Sequence, residues 1–424
     1  MISGKTDCGL QYAVKKGGSA VGYCALSIKC GTRDEEGWHS GIAHFVEHTI
    51  FKGTSRRSAS VINSYLDRLG GELNAFTTKE EIVFHATVLK EDLPKAAALL
   101  FELATDATFP ENEINTEKGV VIDEIHSYKD TPSEDIYDRF EEMLFKGHPL
   151  SGPILGTAAS VKKITREELL KFVREKFIPC RMAFSIVADI DENKMEKEVL
   201  KLITRYFSDS DIKTGCPMSA ECQEREDAPH GCGNYSIPTV ERFDRTINKR
   251  NHQANCVIGG LAPSLYQEKE RLATVLLCNI LGGPASNSIL NNILREKNGW
   301  VYGVECSYVQ YADTGMVTIS LGCDKHNLEK CLKAIEKEVS RLQNEPLTER
   351  KLKAAKKQLL GQLAISSDNG ETQCLSMGKG LLAYGKITEG KETRDLIEAI
   401  SADQVREMAC RIFAQDNISR LIYI

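Results

Sequence analysis

The residues best suited to chemistry lie in one short run, Gly41 to His48. On a helix, His44 and His48 stand one turn apart on the same face, with Cβ atoms about 5–6 Å from each other. This spacing allows both imidazoles to bind one zinc ion, and Glu47 lies beside them within reach of a water on that metal. Two histidines on a surface helix are the alternative. Since the chain has only nine histidines, the order His, Glu, His predicts a metal site.

A catalytic zinc ion takes three protein ligands and one open position, so the run predicts a third ligand elsewhere. Residues 111–125 supply candidates, because apolar residues recur there at helical spacing and mark a buried face. These apolar residues are Ile114, Val121 and Ile125. Glu117 and Glu124 are two turns apart and adjoin that face. Two glutamates on a helix are usually solvated charges. Here the two histidines lack a carboxylate ligand, and this favours a role of the two glutamates at the metal.

At these residues the chain resembles the pitrilysin/insulysin family of inverzincin zinc metallopeptidases, in particular its half-size branch, which includes the mitochondrial processing peptidase. The first basis is the order H-x-x-E-H followed by the two glutamates. Further matching runs are Phe51-Lys52-Gly53-Thr54, Gly71-Glu72-Leu73-Asn74-Ala75-Phe76-Thr77, Gly147-His148-Pro149, Leu281-Gly282-Gly283, and Leu294-Arg295-Glu296-Lys297 leading to Tyr302. The resemblance extends over essentially the whole chain.

The resemblance implies that His44, His48 and Glu124 are the ligands of one zinc ion (Zn2+) per chain. It gives Glu47 the role of general base and Glu117 that of a supporting glutamate.

In the same family, an Arg and a Tyr at the spacing of Arg295 and Tyr302 bind substrate and stabilise the tetrahedral intermediate. Taken singly, each residue is as readily explained as structural. The loop 284–289 reads Pro-Ala-Ser-Asn-Ser-Ile where the family often has Ser-Ser-Arg-Leu. A local positive charge is therefore missing, and the substrate preference associated with that loop does not carry over.

Asn74, Ala75 and Phe76 lie in a run of alternating polarity, which predicts a strand. If this strand is the sheet edge beside the zinc, an extended peptide can add to it through main-chain hydrogen bonds. The alternative is an internal hairpin strand without contact to substrate.

Composition agrees with a globular enzyme, with 42% hydrophobic and 27% charged residues. The net charge of −6 argues against nucleic acid as a partner, and no run of about 18 apolar residues predicts a membrane span. The N-terminal residues have neither the apolar core of a signal peptide nor Arg-rich transit character. We therefore expect a cytoplasmic protein, although a chain trimmed of a leader would look the same.

Fourteen cysteines are scattered without C-x-x-C pairs, which is typical of reduced thiols buried as small hydrophobes. Cys216, Cys222 and Cys232 cluster in a polar segment and raise the alternative of a second metal site. No histidine spacing there supports a zinc finger, so linker cysteines are the favoured interpretation.

The chain is too long for one core, and the polar, Pro/Gly-containing segment after residue 207 lacks periodicity. We predict a zinc-bearing domain over 1–210, a linker over 211–235 and a homologous C-terminal domain over 236–424. Strand patterns followed by helix starts recur in both halves. The predicted fold class is α+β, with two homologous α/β sandwich domains, each a mainly antiparallel sheet covered by helices on one face.

These observations predict a zinc-dependent endopeptidase that cleaves peptides or unfolded segments in a closed chamber. One alternative is a non-catalytic scaffold or partner subunit of a peptidase-like heterodimer. Another is a zinc hydrolase of small non-peptide molecules, which a buried strand at 73–77 would support. In the larger members of the family that the chain resembles, four such domains form one clamshell, with the zinc in the first half and the Arg and Tyr in the second. This chain has two such domains and both sets of residues, so the resemblance implies a two-fold homodimer. A heterodimer with a zinc-free paralogue is the second choice.

Overall fold

A computed structural model describes residues 1–207, 238 and 240–424. The predicted linker 211–235 lies entirely outside the described residues, and so do Cys216, Cys222 and Cys232. The chain forms two compact units. The first contains Met1–Ile125, Ile365–Ile387 and the described part of Gly152–Gly231; the second contains His126–Ser151, Thr388–Ile424 and the described part of Cys232–Ala364.

The strands and helices are numbered in chain order. The strands are β1 Ile2–Lys5, β2 Gln11–Lys16, β3 Val21–Ile28, β4 Glu72–Thr77, β5 Ile82–Leu89, β6 Met182–Ala188, β7 Asp244–Ile247, β8 Gln253–Ala262, β9 Val301–Gln310, β10 Gly315–Asp324 and β11 Ser419–Tyr423. The helices are α1 Ile42–Ile50, α2 Ala59–Asp67, α3 Leu93–Asp106, α4 Glu111–Asp130, α5 Pro132–Leu144, α6 Ala158–Val161, α7 Arg166–Lys176, α8 Glu192–Tyr206, α9 Glu268–Gly282, α10 Leu328–Asn344, α11 Glu349–Asp368, α12 Gly370–Tyr384, α13 Gly390–Ala399 and α14 Ala402–Ile412.

Each unit is built on one mixed sheet. In the first unit the order is β1-β2-β6-β3-β5-β4, with β2 and β6 parallel and the other neighbours antiparallel. In the second unit the order is β7-β11-β8-β10-β9, with only β7 and β11 parallel among these strands. The predicted fold class, two helix-covered and mainly antiparallel sheets, is therefore confirmed.

Helices cover both faces of the first sheet, because strand residues alternate between two apolar sets. On one face, large side chains such as Leu26, Phe84 and Phe184 pack in the main core with α1, α3, α7 and α8. On the other face the strands carry the small residues Ala13, Ala25 and Ala183, against which α12 packs. The prediction of helices on a single face was wrong, since the small residues on the second face allow a helix to approach closely.

The second sheet is also covered on both faces. α5 packs on β8 and β11, placing Ile136, Phe140 and Leu144 against Val257 and Leu421. The opposite face packs with α9, α10 and α14. Each compact unit thus includes one helix from the other half of the sequence, α12 in the first and α5 in the second. The sequence analysis divided the chain linearly and so placed α5 in the first domain and α12 in the second. In the structure each of these helices belongs to the other compact unit.

None of the helices in the described part of the chain combines the length and the hydrophobicity that crossing a membrane requires.

The contact of α12 with the first sheet depends on Gly378. A Cβ added at this glycine would lie 2.6 Å from Ser27 Oγ, so a larger side chain must displace the helix or the sheet. We expect Gly378→Val to lower the free energy of unfolding by about 1–3 kcal/mol, measured by urea denaturation. Gly361→Val on α11, where an added Cβ would meet no atom within 4 Å, is the control. Equal stability of the two variants would contradict this packing account.

Candidate metal centre

Helix α1 presents two different faces. It buries the apolar residues Ile42, Ala43, Phe45, Val46 and Ile50 in the core of the first unit. His44, Glu47 and His48 follow the i, i+3, i+4 spacing of a second face. Anchoring of the apolar side therefore orients the three polar residues together.

Helix α4 supplies the other two predicted residues. Its buried apolar residues are Ile114, Val121 and Ile125, as the sequence pattern predicted. Glu117 is also buried, while Glu124 is partly exposed. Both glutamates point to α1, because each contacts the imidazole of His48.

The three predicted ligands converge. The distance from His48 Nε2 to Glu124 Oε2 is 3.3 Å, and that from His44 Nε2 to the same oxygen is 3.9 Å. All three ligand atoms lie within 4.8 Å of one another. Tetrahedral zinc with bonds of about 2.0–2.1 Å holds its ligand atoms roughly 3.3 Å apart. The donor set and its spacing therefore fit a zinc ion after small side-chain adjustments.

One polar atom of this group supports the same conclusion. Glu124 Oε2 is buried and accepts no hydrogen bond among the described residues. A buried carboxylate oxygen without a partner is costly, and a cation beside it would remove that cost. Burial, together with the neighbouring His48, lowers the pKa of His44 to about 3. His44 is therefore the neutral imidazole that metals bind.

Glu117 holds His48 in place. With its Nδ1 protonated, His48 donates to Glu117 Oε2 over 3.2 Å, which leaves the Nε2 lone pair directed to Glu124. The other oxygen of Glu117 pairs with Lys52 Nζ at 2.5 Å. A carboxylate that fixes the orientation of a ligating histidine is typical of metal sites.

Glu47 is oriented by strand β4. Thr77 Oγ1 donates a hydrogen bond of 2.6 Å to Glu47 Oε2. Burial raises the pKa of Glu47, although the hydrogen bond from Thr77 acts in the opposite direction. A carboxylate with a raised pKa is a better proton acceptor near neutral pH than a fully solvated one.

Strand β4 is the last strand of its sheet, and β5 is its one partner among the described residues. Its residues are partly or fully exposed, so the buried strand that would have supported a hydrolase of small molecules is not observed. Ala75 packs on the core side with α1, whereas Phe76 packs on the side covered by α12. Asn74 is exposed and pairs with His85 of β5.

Arg295 and Tyr302 belong to the second unit. Arg295 is an exposed residue in a π-helical turn, Asn291–Lys297. Tyr302, near the start of β9, is 60% exposed and donates to Asp324 Oδ1 over 2.9 Å. This hydrogen bond raises the pKa of Tyr302. The residues that the structure brings together are thus His44, Glu47, His48, Glu117 and Glu124, all in the first unit.

Sequence reasoning assigned no role to three residues that contact this group or its helix: Thr77, Lys52 and Glu35. Lys52 follows His48 by one helical turn, and this spacing could have indicated a contact near the site. Thr77 and Glu35 carry no such local signal, because their partners are distant in sequence or are backbone N–H groups.

Two family models match consecutive parts of the chain. Residues 13–158 match the family described as "Insulinase (Peptidase family M16)", and residues 163–359 match "Peptidase M16 inactive domain". Among curated relatives, an "Uncharacterized zinc protease YmxG" of Bacillus subtilis is 30% identical over 396 residues, covering 93% of this chain and 91% of the relative. An "Uncharacterized zinc protease" of Rickettsia felis is 30% identical over 398 residues, covering 94% and 91%.

Two solved structures share the fold. A protease from Helicobacter pylori superposes with a TM-score of 0.86 at 19% identity, covering 100% of this chain and 98% of that one. A peptidase M16 inactive domain from Pseudomonas fluorescens gives 0.83 at 18% identity, covering 100% and 97%. At these identities the likeness establishes the fold alone.

The contact between Glu117 and His48 predicts the effect of neutralising that glutamate. We expect Glu117→Gln to weaken zinc binding by about 10–100-fold, because the amide holds the His48 tautomer less well. Competition with a chelator measures the affinity. Asp123→Asn removes an exposed carboxylate from the same helix and is the matched control. Unchanged zinc affinity in Glu117→Gln would show that Glu117 does not support the metal site.

Proposed function

We propose, because this chain belongs to the M16 peptidase family, that it is a zinc-dependent endopeptidase acting on peptides or unfolded segments. The observation that carries the proposal is the convergence of His44, His48 and Glu124, with Glu47 on the same helix as the two histidines. His44, His48 and Glu124 would hold one zinc ion per chain. Such an ion supplies Lewis acidity toward a carbonyl oxygen and makes water easier to deprotonate.

The protein's own groups then move the proton. Glu47 is the residue positioned to accept it, since Thr77 holds one carboxylate oxygen while the other stays available. The raised pKa of Glu47 brings its proton affinity closer to the working pH. The same carboxyl group can pass the proton to the leaving amine. Glu117 acts indirectly, by fixing the orientation of His48.

Substrate would lie along β4. The outer edge of this strand, which pairs with no other strand in the described part of the chain, offers main-chain donors and acceptors to an extended peptide near Asn74, Ala75 and Phe76. Main-chain recognition tolerates many sequences, which suits a peptidase of broad substrates. Arg295 and Tyr302 are proposed as the donors to the oxyanion that develops on the carbonyl.

A non-catalytic scaffold is the second candidate. It draws on the description "inactive domain" of the matching family and of one structural neighbour. That family match covers residues 163–359, outside the metal centre. Residues 13–158, which match the peptidase family, include all five polar residues of the site; His44, His48, Glu117 and Glu124 are in mutual contact, and Glu47 is held by Thr77. This completeness favours the peptidase.

For assembly we propose a two-fold homodimer in which each zinc site is completed by Arg295 and Tyr302 of the partner subunit; a heterodimer with a zinc-free paralogue is the alternative. The cytoplasmic location likewise stays a prediction from the sequence.

The role of Glu47 predicts a separation of metal binding from catalysis. We expect Glu47→Gln to keep one zinc ion per chain and to lose about 10²–10⁴-fold in kcat, because the ligands remain while the proton acceptor is gone. Metal analysis and cleavage of a quenched peptide library measure the two effects. Glu36→Gln, an exposed carboxylate before α1, is the control. Turnover at the wild-type rate in Glu47→Gln, or loss of its metal, would refute the assignment.

The homodimer predicts complementation between inactive subunits. Glu47→Gln and Tyr302→Phe proteins are each expected to be nearly inactive, and mixing them with subunit exchange should restore one site per mixed dimer. Each mixed dimer would then have roughly half of the wild-type specific activity, and an equimolar mixture after random exchange about a quarter, because about half of its dimers are mixed. No recovery after demonstrated exchange would eliminate sites shared between subunits. A fully active monomer in light scattering would eliminate the homodimer.

A further inference from the structure

Glu35 holds the start of the helix that carries the metal centre. Its Oε2 accepts the backbone N–H of Gly41 over 2.8 Å, and its Oε1 accepts that of Ala43 over 2.9 Å. The first N–H groups of a helix have no partner within the helix. One side chain thus satisfies two groups immediately before His44.

The segment that carries Glu35 is attached to the end of β4. Thr32 N–H donates to the carbonyl of Thr78 over 3.2 Å, and Arg33 N–H donates to that of Lys79 over 3.0 Å. Arg33 also forms an ion pair with Glu80. Residues 78–80 directly follow β4. Glu35 therefore connects the start of α1 with the turn at which the proposed substrate strand ends.

A second connection joins the same two elements at the reactive group, where Thr77, the last residue of β4, donates to Glu47. The turn before α1 leaves little freedom, because Gly41 has a positive φ of 89°. A Cβ added at Gly156 would lie 2.3 Å from the Ser40 carbonyl oxygen. α1 is consequently held against β4 at two points, one of which is Glu35.

We propose that Glu35 is a positioning residue that sets the place of α1 against β4 and thereby aligns Glu47 with a peptide bound along that strand. This inference rests on the proposed peptidase function. In this role Glu35 acts through the backbone N–H groups of Gly41 and Ala43, and not on the metal or the peptide directly.

A simpler capping residue would not serve in the same way. Ser or Asn caps a helix with a single acceptor oxygen, whereas Glu35 reaches across six residues to engage two N–H groups with two oxygens. Burial raises the pKa of the Glu35 carboxyl to about 8, so placing a charge there has a cost that simple helix capping does not require. Alignment of the site explains why a carboxylate stands at this position.

The test compares Glu35→Gln with a capping variant away from the site. The Gln side chain keeps one acceptor oxygen and turns an amide donor toward an N–H donor. We expect kcat to fall about 10–100-fold with KM changed less than about threefold, because alignment matters most in the transition state. Zinc should stay stoichiometric. The melting temperature should fall by about 2–6 °C.

Asp191→Ala is the matched control, since Asp191 Oδ1 accepts the N–H of Lys194 at the start of α8 in the same unit. It should lower the melting temperature similarly and leave kcat unchanged. Wild-type kcat in Glu35→Gln, or an equal loss of kcat in the two variants, would overturn the proposal. Should Glu35→Gln fail to fold, Glu35→Asp, which retains the charge but is one methylene shorter, replaces it with the same criteria.

Amide hydrogen exchange on the zinc-loaded protein separates this inference from the proposed function. Faster exchange in Glu35→Gln should be confined to Gly41, Ala43 and the first turn of α1, together with a change in the visible spectrum of the cobalt-substituted site. If the wild-type protein has no peptidase activity, the proposed function is refuted, but hydrogen exchange and the cobalt spectrum still test whether Glu35 positions α1. Unchanged exchange at Gly41 and Ala43 would refute the positioning in an otherwise active enzyme.

Discussion

The imidazole of His48 lies between two carboxylates, those of Glu117 and Glu124, and the rest of the site depends on this arrangement. It requires the polar face of α1 and one side of α4 to meet at a fixed distance. Helix α1 achieves this by burying apolar residues between Ile42 and Ile50 on its other side, and α4 by burying Ile114, Val121 and Ile125 beside the two glutamates. Since the core is close-packed, the two helices cannot slide without opening cavities. The precision of the site is therefore a consequence of hydrophobic packing outside it.

The same arrangement explains how so many polar groups are accommodated near the core. Glu117 is buried but is paired with Lys52 and His48, so its charge is compensated. Glu47 receives a hydrogen bond from Thr77. Glu124 Oε2 accepts no hydrogen bond among the described residues, although the two imidazoles contact it. The uncompensated oxygen thus lies where two imidazole nitrogens converge, which is where a cation would stabilise the fold as well as supply chemistry.

The second unit repeats the architecture of the first without its chemistry. Helix α9 follows β8 as α1 follows β3. In place of a polar face with two histidines, α9 buries Leu272, Leu276, Leu277 and Leu281. Residues 253–325 contain no histidine. Each unit also takes one helix from the other half of the chain, which covers the second face of its sheet. Gly378 and the small residues beneath it permit this approach in the first unit. The two units therefore share a sheet-and-helix scaffold, and a few residues of α1 and α4 distinguish a metal centre from a core helix.

The sequence by itself determined the parts that depend on local spacing. Residues one turn apart on α1 and two turns apart on α4 share a face in any α-helix, so His44, His48, Glu117 and Glu124 could be assigned before any coordinates, and alternating strands followed by helix starts indicated two similar α+β halves. Tertiary structure decided what no local pattern records. It placed α12 and α5 on sheets remote from them in sequence, it made β4 the end of its sheet, and it brought Glu35 and Thr77 to α1. Some of these contacts are made to backbone N–H groups, and the others join residues about 30 positions or more apart. In neither case does the side-chain type produce a periodic signal in the sequence. The packed core alone determines which residues meet.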